Sequence, residues 1–333
     1  MTGLAVQPVP GYVRGWGFVC GGIAVLEERF RDRDFFMGLL ALEEVGDMIP
    51  HLQDTVLREY LTPGAEWEDF TEIAKRCFYD TALAVRSMCP SSGPVDVFVA
   101  PYDFMNLKTS LAQNTSFPYP FVVFPEDQLV ALAKGELPEA PESLKEWPGW
   151  STSEIQHLAP LDLDILLDGA YLRYLLHAAE GIGSDFIRAC VRERVKAKVV
   201  TLLWRAHALG IPLKRVENHL QPLGELTGLV EDLALQSNPQ AWAALVGGEI
   251  GDVLAEVQEW GSVDRVPEFA SKVDDRLLSV AALGGMQTSG PEAVFSFMAG
   301  FEHQLRLLTL VVTGRLGGVD RDGLRRRIGG AHG

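Results

Sequence analysis

The residues whose spacing most resembles a reactive site are three aspartates near the middle of the chain. Asp162, Asp164 and Asp168 lie within one seven-residue segment, and closely spaced carboxylates are common ligands of Ca²⁺ and Mg²⁺. A calcium-binding loop needs glycine at its sixth position for a sharp turn, and this chain has Leu167 there. We therefore predict that Asp162 and Asp164 act as cap and dipole partners at the start of a helix, and not as metal ligands.

No other residue pattern indicates a catalytic or cofactor site. The chain lacks the G-x-S-x-G of a nucleophile elbow, the GxxxxGK[ST] phosphate loop and a GxGxxG that opens a helix. The seven histidines show neither HExxH nor a Cys/His spacing that fits zinc; they stand at positions 51, 157, 177, 207, 219, 303 and 332. Residue types alone leave a dispersed Ser-His-Asp set open. We predict no catalytic residue, no cofactor-binding residue and no metal ligand.

Charge and composition exclude some classes of partner. The formal charge of −16, from 45 acidic and 29 basic residues, argues against nucleic-acid binding, which needs clustered Lys and Arg. The charge balance reverses near the C-terminus, and we interpret the arginines there as a solvated helix face; a docking surface for an acidic partner is the alternative. These arginines are Arg315, Arg321, Arg325, Arg326 and Arg327.

Cysteines and hydropathy indicate a reduced protein that does not cross a membrane. Cys20, Cys77, Cys89 and Cys190 are far apart and form no CxxC, as is typical of reduced core residues in a cytosolic protein. The start of the chain lacks the basic and apolar regions of a signal peptide. The longest apolar candidate, residues 305–312, is interrupted by Arg306 and is too short to span a bilayer.

Periodicity predicts a mostly helical chain. Helices are expected at residues 26–49 (ended by Pro50), 67–88, 162–179, 183–209, 238–257, 264–282 and 291–316, the last one buried all round in its second half. Residues 95–99 and 121–124 are predicted to be extended connectors, and residues 138–148 a linker. The Gly-Gly pairs at 21–22, 247–248, 284–285 and 317–318 are predicted to be breaks between helices. The aromatic residues Phe117, Tyr119, Phe121 and Phe124 are predicted to fill the core, or else to form part of a partner surface.

The helix at 183–209 is expected to be amphipathic. Val195, Val199, Leu202, Ala206 and Leu209 follow a helical spacing. These apolar residues should share one face, with Lys196 and Lys198 opposite to them.

Part of this helix has two relatives elsewhere in the chain. The segment that starts at Lys196 resembles segments that start at Asp103 and Gln304, and the starts are 93 and 108 residues apart. Three similar segments predict an all-α fold built from three helical units at residues 1–136, 137–236 and 237–333. Repetition of a helical unit is more typical of a shaped body that holds partners than of a single chemical pocket.

The repeat and its surroundings resemble the C subunit of V/A-type ATPases, which is equivalent to subunit d of the vacuolar enzyme. In the first unit, the resemblance consists of Leu52-Gln-Asp54-Thr55 with Tyr60, and of Asp103-x-x-Asn106-Leu-Lys. In the second unit, it consists of Leu167-Asp168-Gly-Ala170-Tyr171-Leu, followed by Arg205-Ala206 and Leu209-Gly210. In the third unit, it consists of Gly290-Pro291-Glu292-Ala-Val294, then Glu302, Arg306, Gly314 and Arg315. Their order along the chain carries the resemblance more than any single motif.

The chain departs from the family pattern at a few polar positions. The acidic and Asn positions of unit one are occupied by Lys196 and Val199 in unit two and by Gln304 and Leu307 in unit three. The glycine expected after Tyr60 is also missing.

The resemblance implies a funnel of three helical wedges around a pseudo-threefold axis. It also implies a non-catalytic role in the central stalk. In this family, the mouth of the funnel receives the rotor-shaft subunits D and F, and the other end rests on the membrane proteolipid ring. The protein would transmit torque between the A/B head and ion movement (H⁺ or Na⁺). It would sit at the cytoplasmic side, peripheral to the membrane.

Two alternative functions and one electrostatic hypothesis stand beside the resemblance. A helical-repeat adaptor unrelated to an ATPase is the first alternative, although such solenoids repeat every 20 to 50 residues. An all-α enzyme built around Asp162, Asp164 and Asp168 is the second. The net charge suggests that a negative mouth steers a basic shaft tip, an attraction that should weaken with salt.

Overall fold

The computed structural model describes residues 15–61, 69–111, 119–134, 158–220, 222–236, 238–257 and 265–328. Every regular element in these ranges is helical, so the predicted all-α class is confirmed for this part of the chain. The first third contains α1 (Trp16–Glu27), α2 (Arg33–Ala41), α3 (Ile49–Leu52), α4 (Phe70–Met88), α5 (Gly93–Leu111) and α6 (Glu126–Lys134). The rest contains α7 (Pro160–Ile182), α8 (Asp185–Ala208), α9 (Leu213–Leu220), α10 (Thr227–Leu235), α11 (Trp242–Val246), α12 (Gly248–Ala255), α13 (Val266–Ala282), α14 (Pro291–Leu316) and α15 (Arg321–Ile328).

The repeated segments lie on α5, α8 and α14, and contacts at two levels show that α8 and α14 run parallel. Ser184, the N-cap of α8, donates from Oγ to Oε1 of Glu292 at 2.6 Å. Ten residues further along each chain segment, Arg194 Nη2 donates to Glu302 Oε2 at 2.7 Å. Both pairs are separated by 108 residues, the offset between the second and third repeat segments. Equivalent positions of two repeat units are therefore in direct contact.

The third repeat helix, α5, lies at the same level and in the same direction. The ring of Phe98 is 5.0 Å from the Arg194 guanidinium carbon and 5.0 Å from the ring of Phe295. α7 runs antiparallel to α5, because Lys108 near the end of α5 pairs with Asp168 near the start of α7. Gly183, with φ of +75°, then turns the chain from α7 into α8, a left-handed conformation that glycine adopts without strain.

Contacts between distant segments join each predicted unit to both others. Lys108 Nζ lies 3.0 Å from Asp168 Oδ1, which links units one and two. The Arg194–Glu302 pair links units two and three. Gln304 links units three and one, because its side-chain amide donates to the Arg31 carbonyl at 2.8 Å and accepts from the Arg31 amide at 2.9 Å. The chain therefore closes on itself instead of extending as an open array.

One hydrophobic core extends through all three predicted units. Buried side chains that contribute to it include Phe36 and Phe98 from unit one, Trp204 from unit two, and Phe297 and Phe301 from unit three. The unit boundaries at 136 and 236 stay predictions, and residue 136 lies outside the described residues. The funnel shape and its pseudo-threefold axis likewise stay implications of the resemblance.

Most predicted helices are confirmed with small shifts. The helices expected at 67–88, 162–179, 183–209, 264–282 and 291–316 correspond to α4, α7, α8, α13 and α14. In the second half of α14, no side chain from 301 to 315 is fully exposed, but Arg306, Thr309, Leu310 and Thr313 keep partial exposure, so this half is not buried all round as predicted. Residues 121–124 are not helical, but residues 123 and 124 form a bend instead of the extended connector that was predicted. The linker predicted at 138–148 lies outside the described residues.

Three element predictions are wrong. Residues 26–49 do not form one helix, because α1 ends at Glu27 and Asp32 caps a new helix by accepting from the amide of Phe35 at 3.0 Å. Pro50 does not end that helix; it lies in the first turn of α3, where its missing N–H costs nothing. Residues 95–99 are helical and belong to α5, because Pro94 follows the helix-opening Gly93.

Residues 238–257 contain a break that periodicity did not reveal. Gly247 and Gly248 both have positive φ, at 60° and 58°, and separate α11 from α12. Gly21 and Gly22 were expected at a break but lie inside α1, whose φ values are ordinary there. Gly284 and Gly285 lie at the break between α13 and α14 without positive φ, so a Gly pair by itself does not show whether a helix ends there.

Candidate functional site

A cleft of about 600 Å³ lies between the second and third predicted units and has several charged side chains in its lining. Helices α7, α8, α13 and α14 form its walls, because Tyr171, Arg194, Asp274 and Glu302 all face into it. Its charged lining consists of Asp168, Asp274 and Glu302 against Arg194, Lys198, Arg205 and Arg306. The interior therefore carries no acidic excess, in contrast to the chain as a whole.

Three ion pairs, made by two arginines, connect the walls of the cleft. Arg194 lies against Glu302 at 2.7 Å and stacks over Phe98 at 5.0 Å, so its charge is both paired and partly desolvated. Arg306 pairs with Asp274 at 2.7 Å and with the buried carboxylate of Asp275 at 3.1 Å. These contacts hold α8 to α14 and α13 to α14, and they leave both arginines little freedom to bind anything else.

Lys198 and Arg205, the other two cations of the cleft, differ from Arg194 and Arg306 in their partners. Within the described residues, neither has a carboxylate within ion-pair distance, and the Lys198 ammonium lies 5.7 Å from the ring of Tyr171. Burial, and next the nearby Arg194, lower the pKa of Lys198. Lys198 is therefore a cation that folding places in the cleft against an aromatic ring and without a carboxylate at ion-pair distance.

The amphipathic face predicted for α8 is wrong in one respect. Leu202 and Lys198 both line the cleft, so they lie on the same side of the helix and not on opposite sides. The side chain of Lys196, predicted on the polar face, is only 15% exposed and pairs with Glu193 at 2.7 Å. Leu209, predicted on the apolar face, is 63% exposed. α8 is surrounded by protein on most sides, and a simple two-sided pattern does not describe such a helix.

The three aspartates singled out from the sequence are distributed over two separate ion-pair groups. Asp162 receives two bonds of 2.7 Å from the Arg215 guanidinium and lies 3.2 Å from His219 Nε2. The bond from Arg215 lowers the pKa of Asp162 most, and His219 contributes. Asp164 and Asp168 both pair with Lys108, at 3.2 and 3.0 Å. Each carboxylate thus has a protein cation as its partner.

Asp162 and Asp164 do not cap the helix, contrary to the prediction. The N-cap of α7 is Ala159, which makes no side-chain cap bond, and Asp162 lies in the first turn. Asp162 can therefore act as a dipole partner but not as the cap. Within the described ranges, no group of three or more His, Cys, Asp or Glu side chains is arranged to hold a metal ion.

The histidines and cysteines occupy ordinary structural positions. His303 is buried and its Nδ1 accepts from Arg306 at 3.0 Å, whereas His177 is exposed. His157 and His332 lie outside the described residues. All four cysteines are free thiols, and burial raises the pKa of Cys77 to about 12.

Asp103 and Asn106 hold a connector in place, a role that sequence reasoning did not assign to them. Asp103 is fully buried in α5 and accepts from the amides of Val123 at 2.7 Å and Phe124 at 3.0 Å. Asn106 donates to the Tyr119 carbonyl at 2.8 Å and accepts from its amide at 3.2 Å. Gln304 occupies the position of Asp103 in the repeat. Like Asn106, it both donates to and accepts from the backbone of a single residue, in this case Arg31.

The aromatic cluster is confirmed as core packing where it is described. Phe124 is 6% exposed, and its ring lies 5.1 Å from that of Tyr174. The Tyr119 ring lies 4.8 Å from that of Tyr102, and Phe121 packs against the core while keeping partial exposure. Phe117 lies outside the described residues.

The C-terminal arginines are not all solvated, so that interpretation is wrong for two of them. Arg315 donates to the carbonyls of Leu40, Leu42 and Glu43 at 3.0, 2.9 and 2.7 Å. Arg321 donates to the Leu42 carbonyl at 2.9 Å. The two side chains bind the open carbonyls at the end of α2, and Arg325 and Arg326 stay exposed on α15.

Two comparisons place these features in context. A family model described as ATP synthase (C/AC39) subunit matches residues 19–327. No curated protein matches the chain. No helix in the described ranges combines the length and apolar character needed to cross a membrane.

Proposed function

The chain belongs to the family of ATP synthase (C/AC39) subunits, and from this membership we propose that it is a non-catalytic central-stalk subunit of a V/A-type ATPase. It links the rotor-shaft subunits D and F to the membrane proteolipid ring. It transmits torque between the A/B head and the movement of H⁺ or Na⁺. This role places it on the cytoplasmic side, peripheral to the membrane.

The extent of the family match carries this proposal. Residues 19–327 are matched, so the resemblance found in three separate groups of motifs belongs to one continuous relationship and not to a shared fragment. The match includes the cleft, the three parallel helices and the C-terminal contacts with α2.

The closed arrangement of the described residues supports a rotor element over an open adaptor. A solenoid joins only successive repeats, whereas here Arg315 and Gln304 return to segments more than 270 residues earlier in the chain. A body closed in this way resists bending, because deformation has to break contacts on every side. A torque-transmitting part needs that property.

The ion pairs of the three aspartates weigh against the enzyme alternative. Asp162 is bound to Arg215, and Asp164 and Asp168 share Lys108. A general acid or base needs a carboxylate that can approach a substrate, and these three are occupied by side chains of the same protein.

Co-purification tests the proposal. We would tag the full chain, solubilise membranes gently from cells that express it, and identify bound proteins by mass spectrometry. Recovery of the A/B head, the D/F shaft and the proteolipid is the expected result. The proposal is wrong if the tagged chain is purified without any other ATPase subunit from membranes that contain an intact ATPase. The adaptor hypothesis would then replace it.

A coupling assay tests the torque role itself. Membranes depleted of this chain should lose ATP-driven ion transport while the A/B head still hydrolyses ATP, because the head and ring are no longer joined. Adding back the purified chain should restore transport. Transport that persists without the chain would contradict a linking role even if the chain co-purifies with the complex.

A further inference from the structure

Two unpaired cations lie on one stripe of α8 that faces the cleft. The stripe runs through Lys198, Thr201, Leu202 and Arg205, all of which line the cleft. Within the described part of the chain, Lys198 and Arg205 have no carboxylate partner, whereas Arg194 one turn before Lys198 is paired with Glu302 at 2.7 Å. The free positive charge is therefore confined to one end of the cleft.

Leaving Lys198 unpaired in this position costs free energy. Desolvation penalises the ammonium, and the positive charge of Arg194 adds to the penalty. The nearest acidic side chains of the cleft are already engaged: Glu302 by Arg194, Asp274 by Arg306, and Asp168 by Lys108. The His303 ring is bound to Arg306. A group that supplies negative charge from outside would remove this penalty.

The spacing of the two cations indicates the size of that group. Seven residues separate Lys198 from Arg205, which corresponds to about 10 Å along a helix axis. Two carboxylates at a similar spacing on one polypeptide segment can pair with both cations at once, whereas a single phosphate or carboxylate would leave the apolar lining of the cleft uncovered. Apolar lining between and opposite them, from Leu202, Leu277 and Leu278, suits the non-polar side of such a segment.

We propose that this cleft binds an acidic segment of a partner polypeptide, with two of its carboxylates paired to Lys198 and Arg205. The inference rests on the proposed function, since it places the partner within the ATPase complex. It also differs from a mouth that attracts a basic shaft tip, because here the subunit supplies the positive charge.

Photo-crosslinking within the complex identifies the occupant. Thr201 lies between the two cations, so p-benzoylphenylalanine at that position reports what enters the cleft. After irradiation of the purified complex, we expect an adduct with one subunit, at a peptide that contains at least two acidic residues. An adduct with a basic peptide, or none while the same probe at exposed Arg58 does react, overturns the proposal.

Charge reversal tests the ion pairs. Lys198→Glu combined with Arg205→Glu should reduce the affinity of the purified chain for the crosslinked subunit at least about tenfold, because like charges then face each other. Arg58→Glu makes the same kind of charge change on an exposed residue outside the cleft and should have no effect. Lys198→Gln with Arg205→Gln provides a milder pair if the reversed protein unfolds, and thermal melting shows whether each variant is folded.

Reciprocal substitution and competition distinguish an acidic polypeptide from a small anion. Changing the crosslinked acidic residues to Lys should restore binding to the doubly reversed chain. Inorganic phosphate at constant ionic strength should not displace the subunit; specific displacement would show a small-anion site and overturn the proposal. A chain that never enters the complex contradicts the proposed function, whereas a reversed variant that enters it with unchanged affinity contradicts only this inference.

Discussion

At the scale of single residues, the polar positions of the repeat serve the architecture of the protein. Asp103, Asn106 and Gln304 each bind the backbone of a neighbouring connector through at least two hydrogen bonds. Buried backbone amides need such partners, since an unsatisfied one costs free energy. Unit two has Lys196 and Val199 at these positions, and Lys196 pairs with Glu193 on its own helix instead. Departures from the family pattern therefore change which segments are held to the helix.

Asp103→Ala should lower the free energy of unfolding by about 3 kcal/mol, because the buried amide of Phe124 and the partly buried amides of Val122 and Val123 lose their acceptor. Urea denaturation measures the change. Asp127→Ala, at an exposed position in the first turn of α6, serves as the control and should shift stability by less than about 1 kcal/mol. Equal losses in the two variants would show that Asp103 is not the anchor of the connector.

Lys198→Met should raise the free energy of unfolding by about 1 kcal/mol at neutral pH, because it removes a desolvated cation that lacks a partner. The lowered folded-state pKa also gives the wild type a pH dependence. Between that pKa and the unfolded value near 10.5, the unfolded chain binds more protons, so stability rises with pH.

We would measure the free energy of unfolding against pH for the wild type and for Lys198→Met. Subtracting one curve from the other isolates the contribution of Lys198, because tyrosines and cysteines titrate in both proteins. The gap should narrow as pH rises toward 10.5. Parallel curves, or a variant that is less stable at neutral pH, would show that the lysine stabilises the fold by itself and that the cleft holds no uncompensated charge.

At the scale of elements, close helix packing depends on glycines whose role is steric. A Cβ on Gly169 in α7 would lie 2.9 Å from the Leu220 carbonyl oxygen and 3.0 Å from that of His219. These atoms are backbone of α9 and cannot move aside as a side chain would. The same α7 helix carries Gly181, around which no atom lies within 4 Å of a Cβ.

Gly169→Ala should therefore destabilise the protein by about 1 to 3 kcal/mol through overpacking against α9. Gly181→Ala, in the same helix, should be neutral or stabilise by up to about 1 kcal/mol, because alanine is the better helix former. Thermal or urea unfolding of both variants measures the contrast. A loss in Gly181→Ala as large as that in Gly169→Ala would refute the steric role of Gly169.

At the scale of the whole molecule, closure depends on contacts between the chain's last helices and its first ones. Arg315 donates three hydrogen bonds to carbonyls at the end of α2, and Gln304 holds the loop before α2. Loop closure over so many residues is entropically costly, so several strong bonds to a charged donor are needed there. Arg321 adds a further hydrogen bond to the Leu42 carbonyl between the same two units.

Arg315→Ala should lower the free energy of unfolding by about 2 kcal/mol, since hydrogen bonds to a charged donor are lost and carbonyls are left open. Arg325→Ala is the matched control, because Arg325 is exposed and pairs only with Asp322 three residues away; its effect should stay below about 0.5 kcal/mol. Hydrogen exchange should show faster opening of α2 in Arg315→Ala and not in the control. Unchanged exchange in α2 would mean that this arginine does not close the molecule.

The sequence by itself determined the class of the fold and most of its long helices. The reason is physical: α4, α7 and α14 bury apolar residues at a helical period, and this pattern is local. It also indicated the repeat, and through the order of its motifs the family. Local signals failed at two places. Residues 95–99 contain a run rich in valine that suggested an extended segment, but they are helical in α5. Residues 26–49 were predicted to be one helix, but the Asp32 cap starts a new helix within them.

Only the tertiary structure decided which side chains meet. Asp162 pairs with Arg215, whereas Asp164 and Asp168 pair with Lys108, because the two cations approach α7 from different elements. Arg315 and Arg321 could not be distinguished from solvated arginines, since their acceptors are backbone carbonyls some 270 residues away. Lys198 and Arg205 became candidates only once every nearby carboxylate was seen to have another partner. Long-range pairing depends on how helices pack in three dimensions, and periodicity along the chain does not encode it.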